Sequence, residues 1–186
     1  SIRRQRQMCI RDSYVLGRPD LADLWIEILQ RFGEAPDQKR AADLLWPLAR
    51  LADEVPGWRD AAHDRWIAAL QQSTGAAWTQ RAGLAYALLE AFGEPVPDEN
   101  WSMLMNGASR TDTLAVDPAY LRAFRLAAAD DRRGETALLA ILTLGSSGVR
   151  DAGPVAVAAI IEGLTTVGLA SDARRLAVEA ALEGGL

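Results

Sequence analysis

Apolar residues recur along this chain every three or four positions and almost nowhere every two, so the pattern predicts helices that each turn one stripe inward, with no sheet. The clearest stripe is Leu21, Leu24, Trp25, Ile28, Leu29 and Phe32, at i, i+3, i+4, i+7, i+8 and i+11, over a helix at 20–32 that Gly33 stops. A second helix at 37–54 turns Ala41, Leu44, Leu45, Leu48 and Leu51 inward. Pro47 is expected to kink or split it, because proline has no N–H to donate and clashes with the preceding turn. Helices at 58–72 and 76–92 follow, the first with Ala62, Trp66, Ala69 and Leu70 inward, the second with Trp78, Ala82, Ala85, Leu88, Leu89 and Phe92. After Pro95-Val96-Pro97, Asp98 is placed to cap a short helix holding Trp101, Leu104 and Met105, which ends near Gly107.

The stretch at 107–116 is polar and loop-like, the best candidate for a boundary within the chain. Asp117-Pro118 is a strong helix start, an N-cap followed by proline at the first helical position, with Leu121, Phe124 and Ala128 on one face. Asp130-Asp131-Arg132-Arg133-Gly134 reads as a turn. Three helices complete the chain at 135–144, 154–167 and 172–183, with Val157, Ile160, Ile161 and Leu164 inward in the second and Leu176, Ala177 and Ala180 in the third, which Ser171 is expected to cap.

Leu24, Leu29 and Phe32-Gly33-Glu34 recur sixty positions later as Leu84, Leu89 and Phe92-Gly93-Glu94, each copy closing a helix. Sixty residues hold two helical hairpins, the unit that stacked repeats such as the tetratricopeptide arrays use to bury a continuous core between neighbours. The expected architecture is therefore all-α: antiparallel hairpins stacked as a short α-solenoid, with a closed helical bundle as the alternative.

Composition narrows the function classes. Hydrophobic residues make up 49% of the 186 positions and charged residues 24%, the balance of a chain that builds a core. The net charge of −5 lacks the basic excess with which nucleic-acid binders displace counterions, so no nucleic-acid partner is expected. One cysteine, Cys9, and one histidine, His63, are too few for a zinc or iron site, and no metal or cofactor is expected. No apolar run reaches the length of a membrane span. A soluble protein of cytoplasm or periplasm is the expectation.

The first thirteen residues differ from the rest. They hold four of the twenty basic residues, begin without methionine, and lack the apolar stretch of a signal peptide. Their Arg6-Gln7-Met8-Cys9-Ile10-Arg11-Asp12 core resembles sequencing-adapter DNA translated together with a gene in metagenome assemblies. Residues 1–13 are therefore read as a non-native tail, 14–186 as one helical domain with a possible sub-boundary at 107–116, and the true N-terminus as missing. Without the four arginines and one aspartate of the tail, the net charge falls from −5 to −8.

Three stretches, Gly134-Glu135-Thr136-Ala137-Leu138-Leu139, the run from Val167-Gly168-Leu169 to Ala180-Ala181-Leu182, and Phe92-Gly93-Glu94-Pro95-Val96-Pro97-Asp98 with Trp101, resemble the C-terminal helical-repeat region of uncharacterised alanine-rich proteins of high-GC bacteria. The resemblance implies a tetratricopeptide-like α-solenoid and a piece of a larger bacterial protein. It implies no activity.

Candidate chemistry is sparse. His63, with Asp60 one turn before it and Asp64 beside it, could be a carboxylate-supported base, but no serine or cysteine nucleophile accompanies it and the simpler reading is a helical surface histidine. Gly145-Ser146-Ser147-Gly148 is neither a nucleophile elbow nor a phosphate loop and reads as a hairpin connection. Glu90 with Glu94, or Asp98 with Glu99, lie near aromatic residues as glycosidase acids do, yet acids at helix ends are ordinarily solvated or caps. Six tryptophans stand out: Trp25, Trp66, Trp78 and Trp101 fit core stripes, whereas Trp46 and Trp58 flank a kink and a turn and are the candidate partner-binding residues. The expected function is a non-catalytic scaffold or a module that binds a protein or peptide, with self-association possible. The alternative is the helical accessory region of an enzyme, such as a cell-wall glycosidase, whose catalytic domain lies upstream.

Overall fold

Pro47 splits the second expected helix just ahead of itself: α1 (Pro36–Leu44) and α2 (Trp46–Ala52) meet at a turn on Leu45, whose N–H reaches only to the Ala42 carbonyl, 3.1 Å away. The computed structural model describes residues 12–13, 36–52, 60–105 and 116–186. The helix expected at 20–32 with Trp25, the first copy of the Phe-Gly-Glu repeat, Trp58 and the boundary at 107–116, apart from Val116, lie outside them. Of the first thirteen residues Asp12 and Ser13 are described, and Ser13 is buried.

The fold is all-α: among the described residues there is no strand. After α2 come α3 (Asp60–Thr74), a single 3₁₀ turn, α4 (Trp78–Glu90), α5 (Asp98–Met105), α6 (Pro118–Ala129), α7 (Arg133–Leu144), a second 3₁₀ turn at Gly148–Arg150, α8 (Pro154–Thr166) and α9 (Ala170–Glu183). No helix among them is long and apolar enough to cross a membrane.

Local chemistry sets the boundaries. Asp117 caps α6 as expected, its carboxylate accepting the Ala119 N–H at 2.8 Å, with Pro118 at the first helical position. Gly93, at φ +79°, closes α4: its N–H bonds the Glu90 carbonyl and the Glu94 N–H reaches back to Leu89 at 3.1 Å, the paired bonds that only a left-handed residue allows. Gly168 ends α8 in the same way, with Leu169 bonded back to Leu164. That tight reversal leaves no room for the expected Ser171 cap; α9 already starts at Ala170, and Leu169 precedes it without a side-chain cap. The turn expected at 130–134 is also shorter, since Arg133 and Gly134 belong to α7 and Asp131, at φ +54°, makes the reversal.

α4 is the centre of the described core. Thr79, Ala82, Leu84, Ala85, Tyr86, Leu88 and Leu89 are all buried, which covers the helix on more than the one stripe its periodicity displays, because α2, α3, α5, α8 and α9 all pack on it. α8, whose Val157, Ile160, Ile161 and Leu164 are buried, bridges α4 to the α6–α7 hairpin. Gly163 lets α8 approach α6: a Cβ there would lie 2.5 Å from the Phe124 ring. α9 returns to α2, where Arg174 donates to the Leu51 carbonyl at 3.2 Å, a contact between opposite ends of the described chain.

Candidate functional site

His63 is buried, not on the surface as the sequence suggested. Its helix α3 turns His63, Trp66, Ile67 and Leu70 to the same side, and the spacing from His63 to Trp66 and Leu70 at i, i+3 and i+7 is the signal that places it there. Its Nε2 lies 2.6 Å from the Tyr86 hydroxyl of α4, and its Nδ1 lies 3.3 Å from the exposed carboxylate of Asp64. A carboxylate can only accept, so Nδ1 carries the proton and the Tyr86 O–H donates to Nε2. Burial lowers the imidazole pKa from its usual 6.5, against smaller opposing effects of Asp64 and Asp60. Burial likewise raises that of the Tyr86 phenol, keeping it protonated as the donor.

Aromatic rings surround this pair. Trp46, half-buried at the start of α2, sits 5.4 Å from Trp66 and 5.9 Å from His63, and Trp101 lies edge-on to Tyr86 at 5.4 Å. Of the two residues singled out for partner binding, Trp46 therefore packs on the core with part of its surface in solvent, and Trp58 is outside the described residues. Trp66 is fully buried, and Trp78 and Trp101 rest half-buried against the core.

The acid pairs dissolve into structural roles. Glu94 is buried and held by Arg50 of α2, whereas Glu90 is exposed and accepts the Trp101 indole N–H at 2.8 Å. Between them Phe92 carries the Arg174 guanidinium 4.8 Å from its ring centroid. The Phe92-Gly93-Glu94 turn thus fastens α4 to α2 and α9 at once. Asp98 and Glu99 are exposed in the first turn of α5, where acids favour the positive end of the helix dipole. The Gly145-Ser146-Ser147-Gly148 loop joins α7 to the second 3₁₀ turn, with both glycines at positive φ.

A groove of about 820 Å³ runs between α4, α5, the second 3₁₀ turn, α8 and α9. Met105, one of the apolar residues of the short α5, stands 78% exposed on one wall, and Val155, 77% exposed, stands on another. Trp101, Arg81 and Arg150 also line it. Arg81 lies against Gly185 at the closing turn of α9 and has no ion pair among the described residues. Arg150 is held by Glu183 at 3.1 Å, and Glu183 is the sole acid among the described residues that line the groove. Among the described residues no three histidine, cysteine or carboxylate side chains gather as a metal site would require. No protein-family model, curated protein or solved structure matches the chain.

Proposed function

We propose that this chain is a non-catalytic helical scaffold that binds an apolar segment of a partner protein, and that the groove between α4, α5, α8 and α9 is where it binds. The observation that carries this reading is the pairing of two large exposed apolar side chains, Met105 and Val155, with Trp101 and two arginines around one concavity, a composition typical of binding hot spots. A glycosidic alternative requires two converging carboxylates several ångströms apart, and Glu183 alone faces this groove from the described lining, already engaged by Arg150. The stacking of α6–α7 on α8 and of α8–α9 on α4 is compatible with hairpins arranged as in a short solenoid, whose exposed faces commonly serve as docking surfaces.

A photo-crosslinking residue at Val155, in extract of the source cells, tests the reading. A discrete protein adduct is expected that a second crosslinker at exposed Arg175 does not form and that Met105→Asp abolishes. Equal adducts from both positions would overturn the groove as the binding site.

A further inference from the structure

A second concavity, of about 280 Å³, lies between α1, α3, the first turn of α4 and the turn that closes α9. That is close to the lower bound, roughly 300 Å³, of the pockets in which proteins hold small molecules. Its walls are mostly apolar, with Leu44 and Leu45 from α1 and Trp66 and Leu70 from α3. Ser73 and Thr74 add hydroxyls, but these already donate to the Ala69 and Leu70 carbonyls of their own helix, at 2.7 and 2.9 Å. Among the described lining residues the one charged side chain is Arg81.

Arg81 is half-buried, and its guanidinium makes no ion pair or hydrogen bond among the described residues. It packs on the backbone of the turn that closes α9, where a Cβ on Gly185 would fall 3.1 Å from its Cζ and Nη2. A guanidinium drawn partly out of water without an acceptor is destabilising, and an acceptor of opposite charge relieves it. The cavity is lined by a second residue with an unmet donor: Trp66 is fully buried and its Nε1–H has no hydrogen-bond partner.

We propose that this cavity binds a small monocarboxylate with an apolar chain, its carboxylate on the Arg81 guanidinium and its chain along Leu44, Leu45 and Leu70. Both unmet groups donate and neither accepts, which calls for a head group that only accepts, as an ionised carboxylate does. The planar guanidinium fork matches the two oxygens of that head. A phosphate head fits less well, because it brings a third oxygen and more charge to a site with one cation, where both hydroxyls donate elsewhere. An uncharged apolar occupant would leave Arg81 as unmet as before. The site does not depend on the partner groove, although Arg81 lines both.

Isothermal titration calorimetry of the full chain with sodium octanoate is the test. Saturable one-to-one binding is expected, at least tenfold tighter than that of 1-octanol, with no binding of octylamine. Arg81→Gln should weaken octanoate at least tenfold and leave octanol unchanged, and Arg81→Lys, which keeps the charge but not the fork, should fall between. The Arg81 guanidinium makes no bond within the fold, so its variants should keep the helical circular-dichroism spectrum. Ala41→Phe, which fills the cavity from α1, should abolish binding of both ligands. Arg175→Gln, which removes an exposed guanidinium of α9, should bind octanoate as the parent does. So should the groove variant Met105→Asp, which reads this site separately from partner capture in the groove. Absence of saturable heat with octanoate, equal affinity for octanol, tighter binding of octyl phosphate, or octanoate binding that survives Arg81→Gln would overturn the proposal.

Discussion

The Tyr86 hydroxyl donates to His63 Nε2 across 2.6 Å of buried space, tying α3 to α4 at the middle of a ring of tryptophans. A polar bond in such surroundings gains from the low local dielectric while it is complete, and each member is costly when the other is removed. Tyr86→Phe leaves a buried ring nitrogen without its donor and is expected to cost about 2 kcal/mol in urea unfolding. The double variant His63→Phe/Tyr86→Phe should recover part of that loss, because both polar groups then leave together.

The same pair sets a pH response. The folded imidazole has its pKa lowered by burial, so the unfolded chain binds the proton more readily and stability rises with pH in this range. The contribution is complete above the unfolded value near 6.5 and is lost as pH falls toward the lower folded value. Urea midpoints measured from pH 7.5 down to 5.5 should decline, and His63→Phe should flatten that slope. His63 is the only histidine, so its imidazole resonance reports the shift without assignment work.

Arg50 and Glu94 form a nearly buried ion pair between α2 and the turn after α4. Removing one partner takes the ion pair from a charge that stays nearly buried, a penalty that exceeds the worth of the pair itself. Glu94→Gln is expected to destabilise by about 3 kcal/mol, whereas Arg50→Met/Glu94→Leu, which removes both charges, should restore most of it. Thermal unfolding of the three variants decides this.

Gly163→Ala opposes two effects. Alanine favours the helical backbone by roughly 1 kcal/mol, but its Cβ would fall 2.5 Å from Phe124 Cζ and 3.3 Å from Ala128 Cβ, and overpacking of that kind costs about 1–3 kcal/mol. Net destabilisation is expected. In the Phe124→Leu background, where the ring is gone, the same substitution should become neutral or stabilising, as a double-mutant cycle would read out.

Trp46 packs on Trp66 and His63 with part of its surface in water, so Trp46→Ala should lower the urea midpoint by an amount equivalent to about 2 kcal/mol while the helical signal of the folded chain survives. A variant as stable as the parent would show that the indole contributes nothing to the core.

Most helix boundaries were legible because their causes are local. Pro47 cannot continue a helix from the residues before it, Asp117-Pro118 begins one, and Gly93 and Gly168 end them by adopting φ values that other residues resist. Ser171 was misread for a related reason: the Gly168 reversal had already used the space in which a serine cap would form. His63 carried a usable signal in its spacing to Trp66, overridden by the polarity of its neighbours Asp60 and Asp64, which face outward. Tyr86 carried the same kind of signal, at i+4 from Ala82 and i−3 from Leu89, whereas Leu84 carried none, for it lies opposite that stripe and is buried because further helices cover that side of α4.

The sequence by itself thus determined that the chain is helical, where most helices start and stop, and which stripe each would prefer to hide, since 3.6-residue periodicity and the backbone limits of proline and glycine act within a few residues. Tertiary structure alone decided which stripes found a cover. Glu94 met Arg50 from 44 positions away, Arg174 met Leu51 from 123, and Met105, Ile141 and Leu138 stayed largely exposed. Burial depends on what arrives from elsewhere in the chain, and an apolar residue's periodicity records its angle on a helix, not whether another helix lies on that side.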